Sequence, residues 1–323
     1  MQGLLERFSQ VRVVVIGDLV ADEYIYGQTD RISREAPVLI LKYRNRDLRL
    51  GAGANAAHNV RSLGAQVSVI GVVGDDEPGR QLREALLSKG IDADGVRAVK
   101  GLETSVKTRI LAGGVNTAKQ QVIRIDREFE SSLSPELDGD LLQELGQRLK
   151  GAQALIVSDY GLGVVTRALA EKVNELARAG ELLICVDSRH NLLAFKGVTA
   201  MTPNEEEVEE ALGLRLTEAN IIEAGRELIR RVDAQGVLLT RGSKGMILFE
   251  RGGAVTSLGI YGSDEIADVT GAGDTVIGVF TLALAAGATM AQAAEMANRA
   301  GGLVVMKRGT AVLSSKELAA TLS

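Results

Sequence analysis

Short β-branched hydrophobic runs alternate along this chain with longer segments that have helical spacing. The first run, from Val11 to Asp18, reads VRVVVIGD, and later runs read ALIVSD, LLICVD and GVLLTRG. Continuous apolar runs of this length predict strands that are buried on both faces. Strands alternating with helices indicate an α/β fold with a predominantly parallel central sheet covered on both sides. We predict one domain over residues 1–323.

Two regions do not fit this alternation. Residues 38–44 have mixed polarity, and residues 105–126 contain two extended pieces, Ser105 to Leu111 and Lys119 to Asp126, around the turn AGGVNT. The stretch from Leu19 to Glu35 is polar and is predicted as a connection to the first of these regions. We expect the extended pieces to form a small separate β-sheet inserted into the main domain.

Composition excludes several classes of protein. The net charge of −5 and an aromatic content of 3% without Trp disfavour a nucleic-acid-binding surface. The one cysteine, Cys185, rules out an internal disulfide, and two histidines leave little for a His-rich metal site or a Ser-His-Asp triad. No apolar run has membrane-spanning length, and the N-terminal segment lacks a signal-peptide core, so we expect a soluble cytoplasmic protein.

The motif DVTGAGDT, from Asp268 to Thr275, is the strongest candidate for a site. It opens the apolar run Val276 to Ala286, which is suited to a helix. Glycines at a helix start expose backbone N–H groups, and the helix dipole adds positive potential, so this turn suits a phosphoryl group. Asp274 would stand beside that anion and could accept a proton. The alternative is a helix whose glycines serve packing and whose aspartate is only an N-terminal charge.

Other polar residues stand at predicted strand ends or helix starts, where ligands of open α/β sheets bind. These residues are Asp18, the pair Asn55 and Asn59, Asp159, Asp187, the pair Asn204 and Glu207, and the turn Thr240 to Gly245. Amides suit sugar hydroxyls, acidic oxygens suit Mg²⁺ through water, and a glycine turn suits phosphates. Each has a structural alternative as a helix cap, a turn or a solvated side chain.

With these motifs in place, the chain resembles the ribokinase-like (PfkB) sugar kinases over essentially its whole length. DVTGAGDT matches their C-terminal signature, and GAGANAAHNVRSLGAQVSVIGVVGDD resembles their N-terminal one. Within that family the segments GDLVADEYIYG, RISREAPV, TSVKTRIL, QQVIRID, VSDYGLG and MTPNEEE are most similar to the D-glycero-β-D-manno-heptose 7-phosphate kinases of lipopolysaccharide-core synthesis. The resemblance implies a three-layer sandwich with a small β-sheet lid, and ATP and Mg²⁺ as cofactors. Because the inserted strands are too few to bury their own face, we also expect a homodimer formed through the lid.

The resemblance also implies roles for individual residues. Asp274 would be the general base, and the amides of Gly271, Ala272 and Gly273 would bind the transferring phosphoryl group. The remaining residues fall into three sets: Asn204 and Glu207 for Mg²⁺ through water, Thr240, Gly242, Gly245 and Asn298 for the nucleotide, and Asp18, Gly53, Asn55 and Asn59 for sugar hydroxyls.

The distal phosphate of the sugar would need cationic partners on the lid. Lys107, Arg109 and Arg124 are the candidates, with Arg124 and Lys107 ranked before Arg109. Guanidinium groups suit phosphate because they bind it with two hydrogen bonds, although an arginine on an exposed strand is often only solvated.

Several positions depart from the heptose-kinase pattern. Ala52 replaces a glycine, Arg34 replaces a common proline, and Leu162 replaces a lysine, for which Arg34 and Arg189 are the candidate replacements. Nothing in the sequence resembles the nucleotidyltransferase domain of the larger bifunctional relatives. Two alternatives therefore stay open: a related kinase acting on a neutral sugar, a nucleoside or fructose 6-phosphate, and a non-catalytic sugar or nucleotide sensor.

Overall fold

The computed structural model describes residues 1–114, 119–128, 133–262, 268–307 and 309–322. The strands of these residues are β1 Arg12–Gly17, β2 Leu19–Ile32, β3 Leu39–Ala52, β4 Gln66–Gly74, β5 Asp92–Val99, β6 Val106–Gly113, β7 Gln120–Arg127, β8 Ala154–Asp159, β9 Leu183–Ser188, β10 Ala200–Met201, β11 Gly236–Thr240, β12 Met246–Glu250 and β13 Val255–Leu258.

The sequence predicted most of the helices in the described part of the chain. They are α1 Gln2–Arg7, α2 Gly53–Ser62, α3 Glu77–Ser88, α4 Pro135–Arg148, α5 Arg167–Ala179, α6 Glu205–Leu212, α7 Ile221–Val232, α8 Ala272–Ala285, α9 Met290–Val305 and α10 Ser315–Ala319, with short 3₁₀ turns at Phe8–Gln10, Leu192–Ala194 and Gly242–Lys244. The sequence pattern did not indicate the terminal helices α1 and α10 or the strands β5 and β13.

The main sheet is predominantly parallel, as predicted. In the described part of the chain it has nine strands in the order β13-β12-β11-β10-β9-β8-β1-β4-β5. Neighbours from β5 to β11 run parallel, and β12 and β13 are added antiparallel at one edge. Because the strands β1, β8 and β9 are parallel, their carboxyl ends meet at one edge of the sheet.

Helices cover both faces of this sheet. Side chains of β1 alternate between them: Val13 and Val15 pack with α2, α8 and α9, and Val14 and Ile16 pack with α4, α5 and α7. Phe280 of α8 is fully buried in the first layer. Two apolar layers on one sheet give the three-layer sandwich that the sequence indicated.

A second, smaller sheet forms the lid, and its strands differ from the prediction. Among the described residues it contains four strands in the order β3-β2-β6-β7. The interpretation of Leu19 to Glu35 as a connection was wrong, because Leu19–Ile32 is strand β2, paired along its length with β3. The partner strand β3 is also longer than residues 38–44. Polar residues can form a strand here because the two long strands satisfy each other's backbone groups. The predicted AGGVNT turn spans residues 112–117, and its residues 115–117 lie outside the described residues.

The register of the lid places its charged residues on one face. Residues directly opposite each other across a strand pair share a face. Tyr24 lies beside Arg109, which faces Arg124, and Lys107 faces Asp126. The hydroxyl of the buried Tyr24 accepts a hydrogen bond from the backbone N–H of Thr310 in the main body. This charged face is therefore the inner face of the lid.

Over the described residues, none of the helices combines the length and the hydrophobicity that crossing a bilayer requires.

Candidate active site

The signature turn begins helix α8 at the carboxyl edge of the main sheet. Gly271 precedes the helix with φ of 78°, and a Cβ there would stand 2.5 Å from the Asn55 amide nitrogen, so the position requires glycine. The backbone N–H of Ala272 donates to the carbonyl of Val269 at 3.2 Å, which engages one of the predicted phosphate donors within the turn. A Cβ on Gly273 would lie 3.9 Å from the carboxylate of Asp187.

Asp274 is buried in the first turn of α8 and is held from two sides. Its Oδ2 atom accepts a hydrogen bond from the Asn55 amide at 2.8 Å, and its Oδ1 atom accepts one from the Tyr160 hydroxyl at 2.9 Å. Burial raises the pKa of Asp274 to about 8, and the charges of Asp187 and Asp22 act in the same direction. A carboxyl group with this pKa can exchange a proton near neutral pH.

The two asparagines of α2 connect that helix to the signature turn. Asn59 donates from its side chain to the carbonyl of Asn55 at 3.0 Å, and its Oδ1 atom accepts from the Thr275 hydroxyl at 2.9 Å. Gly53 approaches the backbone of Asp18, where a Cβ would stand 3.0 Å from the carbonyl oxygen. Their proposed contacts with sugar hydroxyls stay predictions.

Asp18 organises the loop that follows β8. Its carboxylate accepts hydrogen bonds from the backbone N–H groups of Tyr160 at 2.8 Å, Leu162 at 3.0 Å and Val164 at 3.1 Å. Burial nevertheless raises its pKa to about 6. The role of Asp18 as a sugar ligand stays a prediction, and its observed role is to fix this loop.

The residues predicted for the nucleotide line one cavity beside the signature turn. This cavity has a volume of about 260 Å³ and extends from the Gly242–Lys244 turn to α9. Its lining includes Thr240, Gly242, Gly245 and Asn298 together with Ala272 and Gly273. A nucleotide here would have its phosphates near the start of α8, where the helix dipole favours negative charge.

Asn204 and Glu207 form a capping box at the start of α6. The Asn204 side chain accepts from the backbone of Glu207 at 2.9 Å, and the Glu207 carboxylate accepts from the backbone of Asn204 at 2.8 Å. These contacts are the helix cap that the sequence left open as an alternative. They do not exclude the predicted role of the two side chains in binding Mg²⁺ through water. Burial and the charge of Asp187 both raise the pKa of Glu207. Across the described ranges, no group of three or more His, Cys, Asp or Glu side chains could hold a metal by itself.

The lid cations occupy different surroundings. Lys107 donates to the carboxylates of Asp126 at 3.1 Å and Glu128 at 2.6 Å, and Arg124 pairs with Asp126 at 2.9 Å. Arg109 is buried, pairs with Asp22 and lies over the ring of Tyr24. Arg49 covers the same ring, with its guanidinium carbon 4.8 Å from the ring centroid. Arg49 was not among the lid cations that the sequence indicated.

Sequence reasoning also did not assign roles to Tyr160 and Asp187. Tyr160 stands in SDYGLG, directly after a buried strand, and Asp187 is the residue before the last one of the next strand. Their position at the carboxyl ends of β8 and β9 was the available signal. A tyrosine beside a glycine turn is also common on protein surfaces, so its contact with Asp274 could not be read from the motif.

Known proteins resemble this chain over nearly its whole length. Residues 10–317 match the pfkB family of carbohydrate kinases. Proteins named bifunctional protein HldE are 39% identical in Citrifermentans bemidjiense, over 99% of this chain, and 38% identical in Geobacter sulfurreducens, over 100% of it. The chain spans 65% of the length of these relatives.

Solved structures share the fold at low sequence identity. Ribokinase from Arabidopsis thaliana, complexed with ribose and ATP, superimposes with a TM-score of 0.73 at 20% identity, covering 97% of this chain and 99% of that one. Phosphofructokinase-2 from Escherichia coli gives a TM-score of 0.76 at 18% identity, covering 96% and 97%. The architecture is therefore the ribokinase-like fold.

The raised pKa of Asp274 predicts a pH-dependent cost to stability. The folded state binds this proton more tightly than the unfolded chain, so stability falls as pH rises toward the folded pKa of about 8. Asp274→Asn removes that titration. We expect the melting temperature of the variant, relative to the wild type, to increase by several degrees between about pH 6 and about pH 8.5.

The control for this measurement is Asp140→Asn, which changes an exposed aspartate of α4. Its melting temperature relative to the wild type should not vary over the same pH range. If the difference in melting temperature between Asp274→Asn and the wild type stays constant with pH, the carboxyl group of Asp274 does not titrate in this range.

Proposed function

This chain belongs to the pfkB family of carbohydrate kinases, and from that premise we propose that it transfers the γ-phosphoryl group of ATP to the anomeric hydroxyl of D-glycero-D-manno-heptose 7-phosphate. The product would be the 1,7-bisphosphate, a precursor of ADP-heptose for lipopolysaccharide core synthesis. The heptose-kinase motifs in the sequence support this substrate, as does the match of nearly the whole chain to 65% of the length of the HldE proteins.

The observation that carries the proposal is the position of Asp274. A buried carboxyl group with a pKa of about 8 stands in the first turn of α8, next to the glycine turn and the cavity. Phosphoryl transfer requires an acceptor hydroxyl in line with the phosphate, more than it requires covalent catalysis. Asp274 can orient that hydroxyl and take its proton, while the start of α8 stabilises the charge of the phosphoryl group.

The surroundings of the cavity fit a nucleotide and its magnesium ion. Mg²⁺ prefers oxygen ligands and keeps several of its waters. Asn204 and Glu207 would hold those waters, since both lie at the start of α6, where Asn204 forms a β-bridge with the cavity residue Thr240. The metal supplies positive charge to the phosphates when it is bound. The described acidic groups do not form a complete set of metal ligands. The phosphates of the nucleotide would therefore complete the coordination of the metal.

The inner face of the lid supports a phosphorylated substrate. Arg109 and Arg124 are directly opposite each other across β6 and β7. Asp22 pairs with Arg109 and Asp126 pairs with Arg124, which holds both guanidinium groups on this face. Arg49 and Arg109 both lie over Tyr24, which ties this face to the main body. A distal phosphate would meet guanidinium groups there.

One observation favours the second candidate, a kinase of a different sugar. Lys107 and Arg109 already pair with carboxylates of the lid, and Leu162 stands where heptose kinases carry a lysine. Arg34 is exposed to solvent. A neutral sugar would leave the existing ion pairs undisturbed. The substrate comparison below separates the two candidates.

We also propose that two copies associate through the outer face of the lid. Ile123 and Ile125 alternate with Arg124 along β7, so they lie on the face opposite to it, and both are exposed to solvent. A small sheet rarely leaves such a face uncovered, and a second lid would bury it without exposing new polar groups.

The first prediction for this function concerns the base. Asp274→Asn keeps the shape of the side chain and should retain ATP binding, since the carboxylate is not part of the nucleotide cavity lining. We expect kcat to fall by roughly two to four orders of magnitude, the range usual for loss of a general base. Steady-state kinetics and calorimetric ATP titration measure the two effects, and near wild-type turnover would remove Asp274 from this role.

The second prediction concerns the substrate. A charge-assisted hydrogen bond contributes about 1.5–3 kcal/mol, so Arg124→Ala should lower kcat/KM for heptose 7-phosphate by roughly ten- to a hundredfold. The loss should be small for the unphosphorylated heptose, which has no charge at that position. Lys107→Ala should behave similarly but more mildly, because an ammonium group lacks the bidentate geometry.

The matched control is Arg127→Ala on the same strand. Arg127 is three residues from Arg124, so the alternation of strand β7 places it on the opposite face of the lid. Its loss should leave both substrates unaffected. If Arg124→Ala lowers kcat/KM equally for both substrates, the residue only maintains the lid. Preferential turnover of a neutral sugar by the wild type would favour the second candidate.

The third prediction concerns the assembly. We expect the wild type to be a dimer in light scattering at micromolar concentration. Ile125→Lys should convert it to monomers, because the change places a charge in the proposed apolar interface. Leu87→Lys alters an equally exposed leucine on α3 and should leave the dimer intact. A wild type that is monomeric at these concentrations would contradict the proposal.

A further inference from the structure

Tyr160 connects the loop after β8 to the catalytic carboxyl group. Its hydroxyl lies 2.9 Å from Oδ1 of Asp274, while Asn55 occupies the other carboxylate oxygen at 2.8 Å. Each carboxylate oxygen can accept a second hydrogen bond, so these contacts leave room for a substrate hydroxyl. They also fix the plane of the carboxylate from two directions.

The backbone of Tyr160 is held firmly. Its N–H group donates to Asp18 at 2.8 Å, and the neighbouring N–H groups of Leu162 and Val164 donate to the same carboxylate. Asp18 directly follows strand β1, whose neighbour in the main sheet is β8. The loop is therefore fixed to the central strands, and a hydroxyl carried by that loop is positioned precisely enough to orient another group.

The ring of Tyr160 is held as well. The guanidinium carbon of Arg189 lies 5.3 Å from the ring centroid, at cation–π distance. The backbone N–H of Arg189 donates to the carbonyl of Asp159 at 2.9 Å, which fixes Arg189 beside the residue preceding Tyr160. The side chain is thus supported on its ring face and anchored at its hydroxyl.

We propose that Tyr160 is a positioning residue that acts through Asp274: its hydroxyl holds the carboxylate in the orientation that receives the proton of the sugar hydroxyl. This inference rests on the proposed kinase function. Tyr160 itself forms no bond to substrate in this proposal and exchanges no proton, so the chemistry remains that of Asp274 and the phosphoryl group.

The electrostatic surroundings are consistent with this role. Groups from several elements act on Asp274: burial, Asp187 at the end of β9 and Asp22 of the lid raise its pKa, whereas Asn55 of α2 and Tyr160 lower it. Burial and the Asp274 carboxylate keep the pKa of Tyr160 well above its usual value, and Arg189 opposes this shift. Tyr160 therefore remains a hydrogen-bond donor throughout the range in which Asp274 ionises.

The experiment is Tyr160→Phe, which removes the hydroxyl and retains the ring beneath Arg189. With whichever sugar the wild type phosphorylates, we expect kcat to fall about tenfold with little change in KM. Without its donor the carboxylate is harder to ionise, so the acidic limb of the kcat–pH profile should move up by about one pH unit. Tyr43→Phe, at a tyrosine that is 65% exposed, is the control for loss of a hydroxyl and should match the wild type.

A double-mutant cycle tests whether the effect passes through Asp274. In an Asp274→Asn background, Tyr160→Phe should change kcat by less than about twofold, because the group it positions is gone. A rise in KM with kcat unchanged would make Tyr160 a substrate contact only and would overturn the inference. An unchanged pH profile, or equal losses in both backgrounds, would do the same.

A measurement without turnover separates this inference from the proposed function. Carbon-13 NMR of labelled aspartate carboxyls, assigned with Asp274→Asn, reports the titration of Asp274 directly. We expect its midpoint to rise by about one pH unit in Tyr160→Phe. An unchanged midpoint would overturn the inference even if the protein is a kinase. A shifted midpoint in a protein that phosphorylates no sugar would support the contact between Tyr160 and Asp274 but contradict the proposed function.

Discussion

A buried carboxylate must receive hydrogen bonds, and the site of this protein is built around that requirement at Asp274. Its two oxygens draw together helix α2, through Asn55, and the loop after β8, through Tyr160. A second buried carboxylate, Asp18, fixes that loop in turn. A carboxylate is costly to bury without hydrogen-bond partners. Helix α2, helix α8 and the loop after β8 can therefore pack closely only in an arrangement that provides partners for both carboxylates.

The same arrangement concentrates buried carboxyl groups beside a turn suited to phosphate. Burial raises the pKa values of Asp18, Asp187, Glu207 and Asp274, so each of these carboxyl groups is harder to ionise than in water. Folding would be more favourable with neutral side chains at these positions. Proteins retain such costs where chemistry needs them, and a pKa near neutrality is what proton transfer to a carboxylate uses.

The lid combines two surfaces in one thin sheet. Its inner face carries charged side chains and the buried Tyr24, which contacts the main body through Thr310. Apolar side chains such as Ile123 and Ile125 remain exposed on the same edge strand. Because side chains alternate along a strand, one short sheet can face a charged ligand on one side and a protein surface on the other.

The sequence by itself determined the α/β class, the glycine turn with Asp274 and most of the main strands and helices. Those features are local, since β-branched runs, glycine pairs and helix starts have preferences that neighbouring residues do not reverse. The sequence did not determine strand β2, whose polar residues form a strand because β3 and β6 supply partners for its backbone. It also did not determine the partners of Asp274, which lie 219 residues away at Asn55 and 114 residues away at Tyr160. Contacts over such separations depend on how β1, β8 and α8 converge at one edge of the sheet, and only the tertiary structure decides that geometry.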